Sequence, residues 1–181
     1  MAKKKESYII STIVEHKPGV LYQVSNMFRR RGFNIETITV GESEQSGLAR
    51  MTITINGDEK TVEQVVKQLN KLIDVVKVSI LDPDITVTRE LALIRINTPN
   101  AAVRSDVINY TEIFKGRVVD VAHDSLLVEM TGDSDKITAF IELMKTFGVK
   151  EIARTGITAL PRGMRSTKIE LEVELNGEDL F

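Results

Sequence analysis

The chain has 181 residues, with 24 Lys and Arg against 26 Asp and Glu, a net charge of -2 and no cysteine. Such a balance lacks the basic field that non-specific binding to nucleic acid or an anionic membrane needs, and the missing cysteine excludes disulfide scaffolds, thiol nucleophiles and Cys-ligated metal centres. With 42% hydrophobic and 28% charged residues, a polar start at Met1-Ala2-Lys3-Lys4-Lys5-Glu6 and no apolar run near the roughly 20 residues of a membrane span, a soluble cytoplasmic protein is expected.

Residues 8–14, rich in Ile, Val and Thr, predict a strand. Lys17-Pro18-Gly19 ends it. Val20, Leu21, Val24, Met27 and Phe28 then recur at helical spacing, and Gly32 follows as a C-terminal cap with Arg29 to Arg31 in the last turn. Residues 35–40 predict a second strand. Gly47 opens a third, in which Ala49, Met51, Ile53 and Ile55 alternate with Arg50, Thr52, Thr54 and Asn56. After the Gly57-Asp58 turn, Val62, Val65, Val66, Leu69, Leu72 and Ile73 form a helical stripe, and residues 75–81 a fourth strand.

The pattern recurs beyond Asp82-Pro83-Asp84. A strand over 90–97 meets Thr98-Pro99-Asn100, where the first unit has its turn. Val103, Val107, Tyr110 and Phe114 space as a helix ending at Gly116. Residues 117–122 and 126–131 predict a hairpin across His123-Asp124-Ser125. Ile137, Phe140, Ile141, Met144 and Phe147 make a second stripe before Gly148, and 151–160 a final strand. The fold class is therefore α+β: two tandem ferredoxin-like β-α-β-β-α-β units, each an antiparallel sheet with helices on one face. Boundaries fall at 1–81 and 82–161, with a tail over 162–181 in which Ile169, Leu171, Val173 and Leu175 alternate with Glu170, Glu172 and Glu174. Each unit leaves one sheet face without helices, a surface that a second chain would cover, so a dimer is expected.

Catalytic signatures are absent. No phosphate-binding glycine loop, HExxH or GxSxG is present. His123, Asp124 and Ser125 are consecutive on a hairpin, so their side chains diverge and cannot relay a proton. The two histidines, His16 and His123, give no transition-metal cluster, and Asp133-Ser134-Asp135 reads as helix capping rather than a calcium loop. A binding mechanism does emerge at the first strand–helix junction. The first amides of a helix have no internal acceptor and carry partial positive charge. Because Gly19 has no side chain, a small carboxylate could reach the amides of Gly19, Val20 and Leu21, with His16 or Asn34 orienting an ammonium. A plain Pro-Gly turn is the alternative on spacing alone.

A β-α-β-β-α-β unit with Pro18-Gly19-Val20-Leu21 at this junction resembles the ACT domain, an amino-acid-binding regulatory module. Arg31-Gly32-Phe33-Asn34-Ile35-Glu36-Thr37-Ile38-Thr39-Val40 looks like the stretch RGYNIESLTV of the small regulatory subunits of acetolactate synthase (acetohydroxyacid synthase). Arg50-Met51-Thr52-Ile53, Gly57-Asp58-Glu59-Lys60, Thr111-Glu112-Ile113-Phe114-Lys115-Gly116, Ala153-Arg154-Thr155-Gly156 and Arg162-Gly163 are similar to segments of the same family, collinear over about residues 7–163. The resemblance implies an N-terminal ACT domain over 1–81, a C-terminal small-subunit domain over 82–161, and a non-catalytic subunit. Such a subunit activates a large catalytic partner that uses thiamine diphosphate, a divalent metal (Mg) and FAD in valine, leucine and isoleucine synthesis; no cofactor is implied in this chain itself. It implies feedback inhibition, usually by valine, at a homodimer interface between N-terminal domains. The effector would meet His16, Pro18, Gly19, Val20 and Leu21 of one chain and Asn34 and Ile35 of the other. Where the family commonly has Asn or Asp, this chain carries His16. A stand-alone amino-acid sensor acting on another partner is the alternative. An RNA-recognition fold shares the strand order, but the third strand lacks the stacking aromatics such a fold displays.

Overall fold

In a computed structural model the described residues are 6–163 and 167. Two antiparallel sheets follow each other along the chain. The first is built from β1 (Glu6–Glu15), β2 (Thr37–Glu42), β3 (Leu48–Gly57) and β4 (Val75–Leu81) in the order β2-β3-β1-β4, with α1 (Val20–Arg31) and α2 (Glu59–Leu69) between them. A short 3-10 turn, Pro83–Ile85, leads into β5 (Thr86–Asn97). The second sheet adds β6 (Arg117–Val121), β7 (Ser125–Gly132) and β8 (Val149–Arg154) in the order β6-β7-β5-β8, with α3 (Ala101–Ile113) and α4 (Ser134–Lys145) as its helices. This is the tandem α+β, ferredoxin-like arrangement that the repeated pattern predicts.

Period-two alternation places the cores. Ile10 and Val14 of β1 and Ala49, Met51, Ile53 and Ile55 of β3 point to the helices, where Val24 and Phe28 of α1 and Val65 and Leu69 of α2 close over them. Ala92, Ile94 and Ile96 of β5 and Leu126, Val128 and Met130 of β7 do the same against Val107, Phe140 and Met144. Helix starts follow capping chemistry: Asp58, Asn100 and Asp133 each accept a hydrogen bond from the third amide inside α2, α3 and α4. Asp133 is thus a cap, as its spacing suggests.

Four expectations shift. Leu21 and Ile73 are not core residues: both are exposed, Ile73 by 90%. Leu21 sits one position, about 100° of helix, off the Val20–Val24 face, and Ile73 lies beyond the last residue of α2, where helical phase no longer applies. The second strand starts at Thr37 rather than residue 35. The strand expected over 151–160 is two: β8 ends at Arg154, and β9 (Thr158–Pro161) pairs with residues 86–89, the extra first part of β5. Finally, the helix-free face of the first sheet is not bare. Ser11, Ile13, Thr52 and Thr54 on that face are all buried, and the same chain supplies contacts there. Thr39 Oγ1 donates to the Ile157 carbonyl at 2.9 Å, and Arg50 donates to Ser11 Oγ at 3.2 Å and Thr167 Oγ1 at 2.5 Å. The open face of the second sheet instead carries ion pairs, with Arg95 between Asp120 and Glu151 and Arg117 against Glu129. The alternating segment 169–175 lies outside the described residues.

Candidate effector site

The junction after β1 is clamped from both sides. The Glu15 amide donates to the Asp74 carbonyl (2.9 Å), at the entry to β4, and the His16 amide to the Gly47 carbonyl (2.8 Å) in the β2–β3 hairpin. Pro18, whose ring fixes its own φ, delivers the chain to Gly19 at φ +92, ψ -17, the left-handed cap of α1. An L side chain rarely adopts this φ, which accounts for glycine here. No side chain caps the helix, and its first intrahelical bond runs from the Gln23 amide to the Gly19 carbonyl (2.9 Å). The amides of Gly19, Val20, Leu21 and Tyr22 therefore have no acceptor among the described residues. Apart from its chain neighbours, nothing lies within 4 Å of where a Cβ would stand at Gly19. The result is an open shelf of donors at the positive end of a twelve-residue helix dipole, suited to a small carboxylate.

Charged groups frame the shelf. His16 is half exposed, and its Nδ1 stands 3.9 Å from Glu42 Oε1. Lys17 Nζ bridges Asp74 Oδ1 (2.6 Å) and Glu15 Oε2 (2.5 Å), and the Asp74 side chain is only 4% exposed. Hydrogen bonding to Asp74 first, then to Glu15, pushes the Lys17 ammonium up from 10.5 to about 12. A cation whose pKa rises on folding adds stability in full below its free value and loses it as the pH climbs through the folded value. The melting-temperature gap between the protein and Lys17→Met should therefore be widest below pH 10.5 and close by about pH 12. Melting curves from pH 8 upward test this; a gap that does not narrow would leave the Lys17–Asp74 pair without a stabilising role.

Asn34 and Ile35 stand elsewhere in the chain. They follow the C-terminal end of α1, about 18 Å of helix from Gly19. Asn34 is exposed and donates from Nδ2 to Glu36 Oε1 at 2.8 Å. It lines a cavity of about 530 Å³ with Phe33, Ile55 and Asp58, while Ile35 packs, half buried, on the first core. One chain thus brings His16, Pro18, Gly19, Val20 and Leu21 together and leaves Asn34 and Ile35 at the far end. Sequence reasoning missed Lys17 and Asp74. Their pairing joins positions far apart in the chain, and no local pattern announces it.

The corresponding junction of the second unit is closed. Asn100 caps α3 with its own side chain, accepting from the Val103 amide at 3.0 Å. Arg104 donates to the carbonyls of Ala122 (2.7 Å) and His123 (2.6 Å), fastening the hairpin over the helix start. Lys150 pairs with Asp124 at 2.6 Å and holds that carboxyl below the usual aspartate range. Ser125 Oγ also donates to Asp124 Oδ1 at 3.4 Å, whereas His123 enters this junction through its backbone carbonyl.

Two family descriptions match: an "AHAS small subunit-like ACT domain" over residues 10–77 and the "small subunit of acetolactate synthase" over residues 89–163. The probable acetolactate synthase small subunit of Methanothermobacter thermautotrophicus is 59% identical over 161 residues, 89% of this chain and 96% of that protein. That of Aquifex aeolicus is 48% identical, covering 91% and 86%. Among solved structures, the acetolactate synthase small subunit of Thermotoga maritima superposes with a TM-score of 0.82 at 45% identity, over 87% of this chain and 98% of that one.

Proposed function

The chain belongs to the family of acetolactate synthase small subunits, and from that membership we propose that it is a regulatory subunit that senses a branched-chain amino acid, valine foremost, and passes the signal to a catalytic large subunit. The observation carrying this reading is the left-handed Gly19, which caps α1 without a side chain, has open space where a Cβ would stand, and starts a run of amides, Gly19, Val20, Leu21 and Tyr22, without an acceptor among the described residues. An amino-acid carboxylate there meets several N–H donors and a helix dipole at once. His16, just before the turn, would accept a hydrogen bond from the ammonium. Because Asn34 and Ile35 stand about 18 Å away within the chain, a complete site needs a second copy that lays its Asn34 and Ile35 against this shelf: a homodimer through the N-terminal units. The units then divide at about residue 82, one sensing and one facing the partner. The chemistry, with thiamine diphosphate, a divalent metal and FAD, resides on the large subunit, which this chain activates and restrains.

Restraint is a linkage effect: the effector must favour one arrangement of the assembly, typically by about 1–3 kcal/mol. Calorimetric titration of the purified chain with L-valine, L-leucine and L-isoleucine tests the sensor, with about one site per chain expected. Reconstitution with the large subunit tests the output, with acetolactate formation raised by the chain and lowered again by valine. Binding without any effect on acetolactate formation would point to a stand-alone sensor of another partner. No binding of any of the three would overturn the effector site.

A further inference from the structure

Between β8 and β9 three residues leave the ladder. Pairing of β5 with β8 ends at Ala92–Arg154, and pairing with β9 begins at Arg89–Thr158. Residues 155–157 turn instead toward the first sheet. At one end they are fixed to the second unit: the Thr155 amide donates to the Leu91 carbonyl and the Leu91 amide to Thr155 Oγ1, both at 3.0 Å. Just before them, Arg154 Nε donates to Glu90 (2.5 Å), a carboxylate 3% exposed, and its other nitrogens reach Thr138 Oγ1 and the Ser134 carbonyl at 3.3 Å. At the other end they press on β2. A Cβ at Gly156 would lie 2.9 Å from Thr37 Cβ and 3.2 Å from the Ile38 amide nitrogen, and the Ile157 carbonyl accepts from Thr39 Oγ1.

On both sides of this crossing the units stand apart. One cavity of about 380 Å³ opens beside Ser7, Thr37, Asn56 and Glu90, and another of about 630 Å³ beside Thr39, Val40, Arg89 and Thr131. Packed atoms pass on a shift that a void absorbs; among the described residues, Thr167 meets Arg50 of β3, while the contact that reaches β2 from the C-terminal unit falls on 155–157. The strand it touches is an edge strand, held by β3 alone. Its first residue, Thr37, lies about 7 Å along the chain from Ile35.

We infer that residues 154–157 form a strut through which the position of β2, and with it the occupancy of a site containing Asn34 and Ile35, reaches the C-terminal unit, with Gly156 as the positioning residue. The inference rests on the effector reading above and adds the route. Glycine is required at 156 because the strut meets β2 backbone to side chain at a separation no Cβ fits.

Hydrogen exchange of the full chain with and without saturating L-valine provides the test, alongside calorimetry and inhibition of the assembled enzyme. In the unaltered protein valine slows exchange over both 36–40 and 155–161. In Gly156→Ala valine binds within about threefold of normal, the slowing is confined to 36–40, and maximal inhibition falls to less than half. Thr39→Val, which keeps the volume and removes one hydrogen bond, gives the same pattern more weakly and serves if Gly156→Ala does not fold. Full inhibition with protection of 155–161 in these variants overturns the strut. So does a loss of valine binding, which would make the contact part of the site. A response of the unaltered protein restricted to 36–40 overturns the strut alone, whereas no response to valine, leucine or isoleucine anywhere overturns the effector reading beneath it.

Discussion

Gly19→Asp should weaken effector binding at least about a hundredfold, roughly 2.7 kcal/mol, while leaving the fold in place. Two physical effects act at this position and differ greatly in size. The first is backbone strain: Gly19 has φ +92, and an aspartate there costs on the order of 1 kcal/mol, since Asp is among the residues that tolerate left-handed backbone. No steric cost is added, because the space around the new Cβ is open. The second effect is electrostatic. A carboxylate at the cap can claim the same unsatisfied amides of Val20, Leu21 and Tyr22 that an incoming amino acid would use, and it repels the ligand's own carboxylate. Competition at the donors outweighs strain in the scaffold. Calorimetry with L-valine, paired with a melting curve, separates the two. Binding within tenfold of normal would show that the helix start is not where the effector carboxylate sits.

Arg154→Ala should cost about 2–3 kcal/mol of stability, a drop in melting temperature of roughly 5–10 °C for a chain of this size. Glu90 is nearly fully buried beneath α4, where its carboxylate meets the Arg154 guanidinium and the Ser134 hydroxyl. Removing one partner of a buried pair strands the other charge, which is costlier than losing an exposed ion pair. The figure sits below the full cost for a wholly buried pair because Arg154 itself is 31% exposed and water can enter where its side chain stood. Replacing both residues, Glu90→Gln with Arg154→Met, should recover at least half of the loss, since no uncompensated charge remains. If Arg154→Ala melts within 2 °C of the unaltered protein, water solvates Glu90 and the pair adds little.

Most of the architecture was legible because two periodicities carry it. The alternation Ala49, Met51, Ile53, Ile55 can bury a face only as a strand, and Val62, Val65, Leu69 only as a helix; each assignment depends on residues a few positions apart. What was not legible depends on residues far apart. Thr155-Gly156-Ile157-Thr158 has the composition of a strand, yet it leaves the ladder to meet Thr37 and Thr39, more than a hundred positions upstream. Ile73 continues a helical stripe in sequence but follows the end of α2 in space. The candidate site shows the same division. Gly19 and the amides after it follow from a local turn and a helix start. The separation of Asn34 and Ile35 from that turn follows from the length of α1, and only the Lys17–Asp74 pair beside it needs the tertiary fold.

The burial of Ser11, Ile13, Thr52 and Thr54 by the same chain has a consequence for synthesis on the ribosome. Residues 6–81 contain a complete sheet and both of its helices, so this unit can close its core as soon as β4 has emerged. Its second face must wait for Gly156, Ile157 and Thr167. At usual elongation rates that interval is on the order of ten seconds. Throughout it a sheet flank meant for a later part of the same polypeptide faces neighbouring nascent chains, and polysomes crowded with this message are where misassociation should begin.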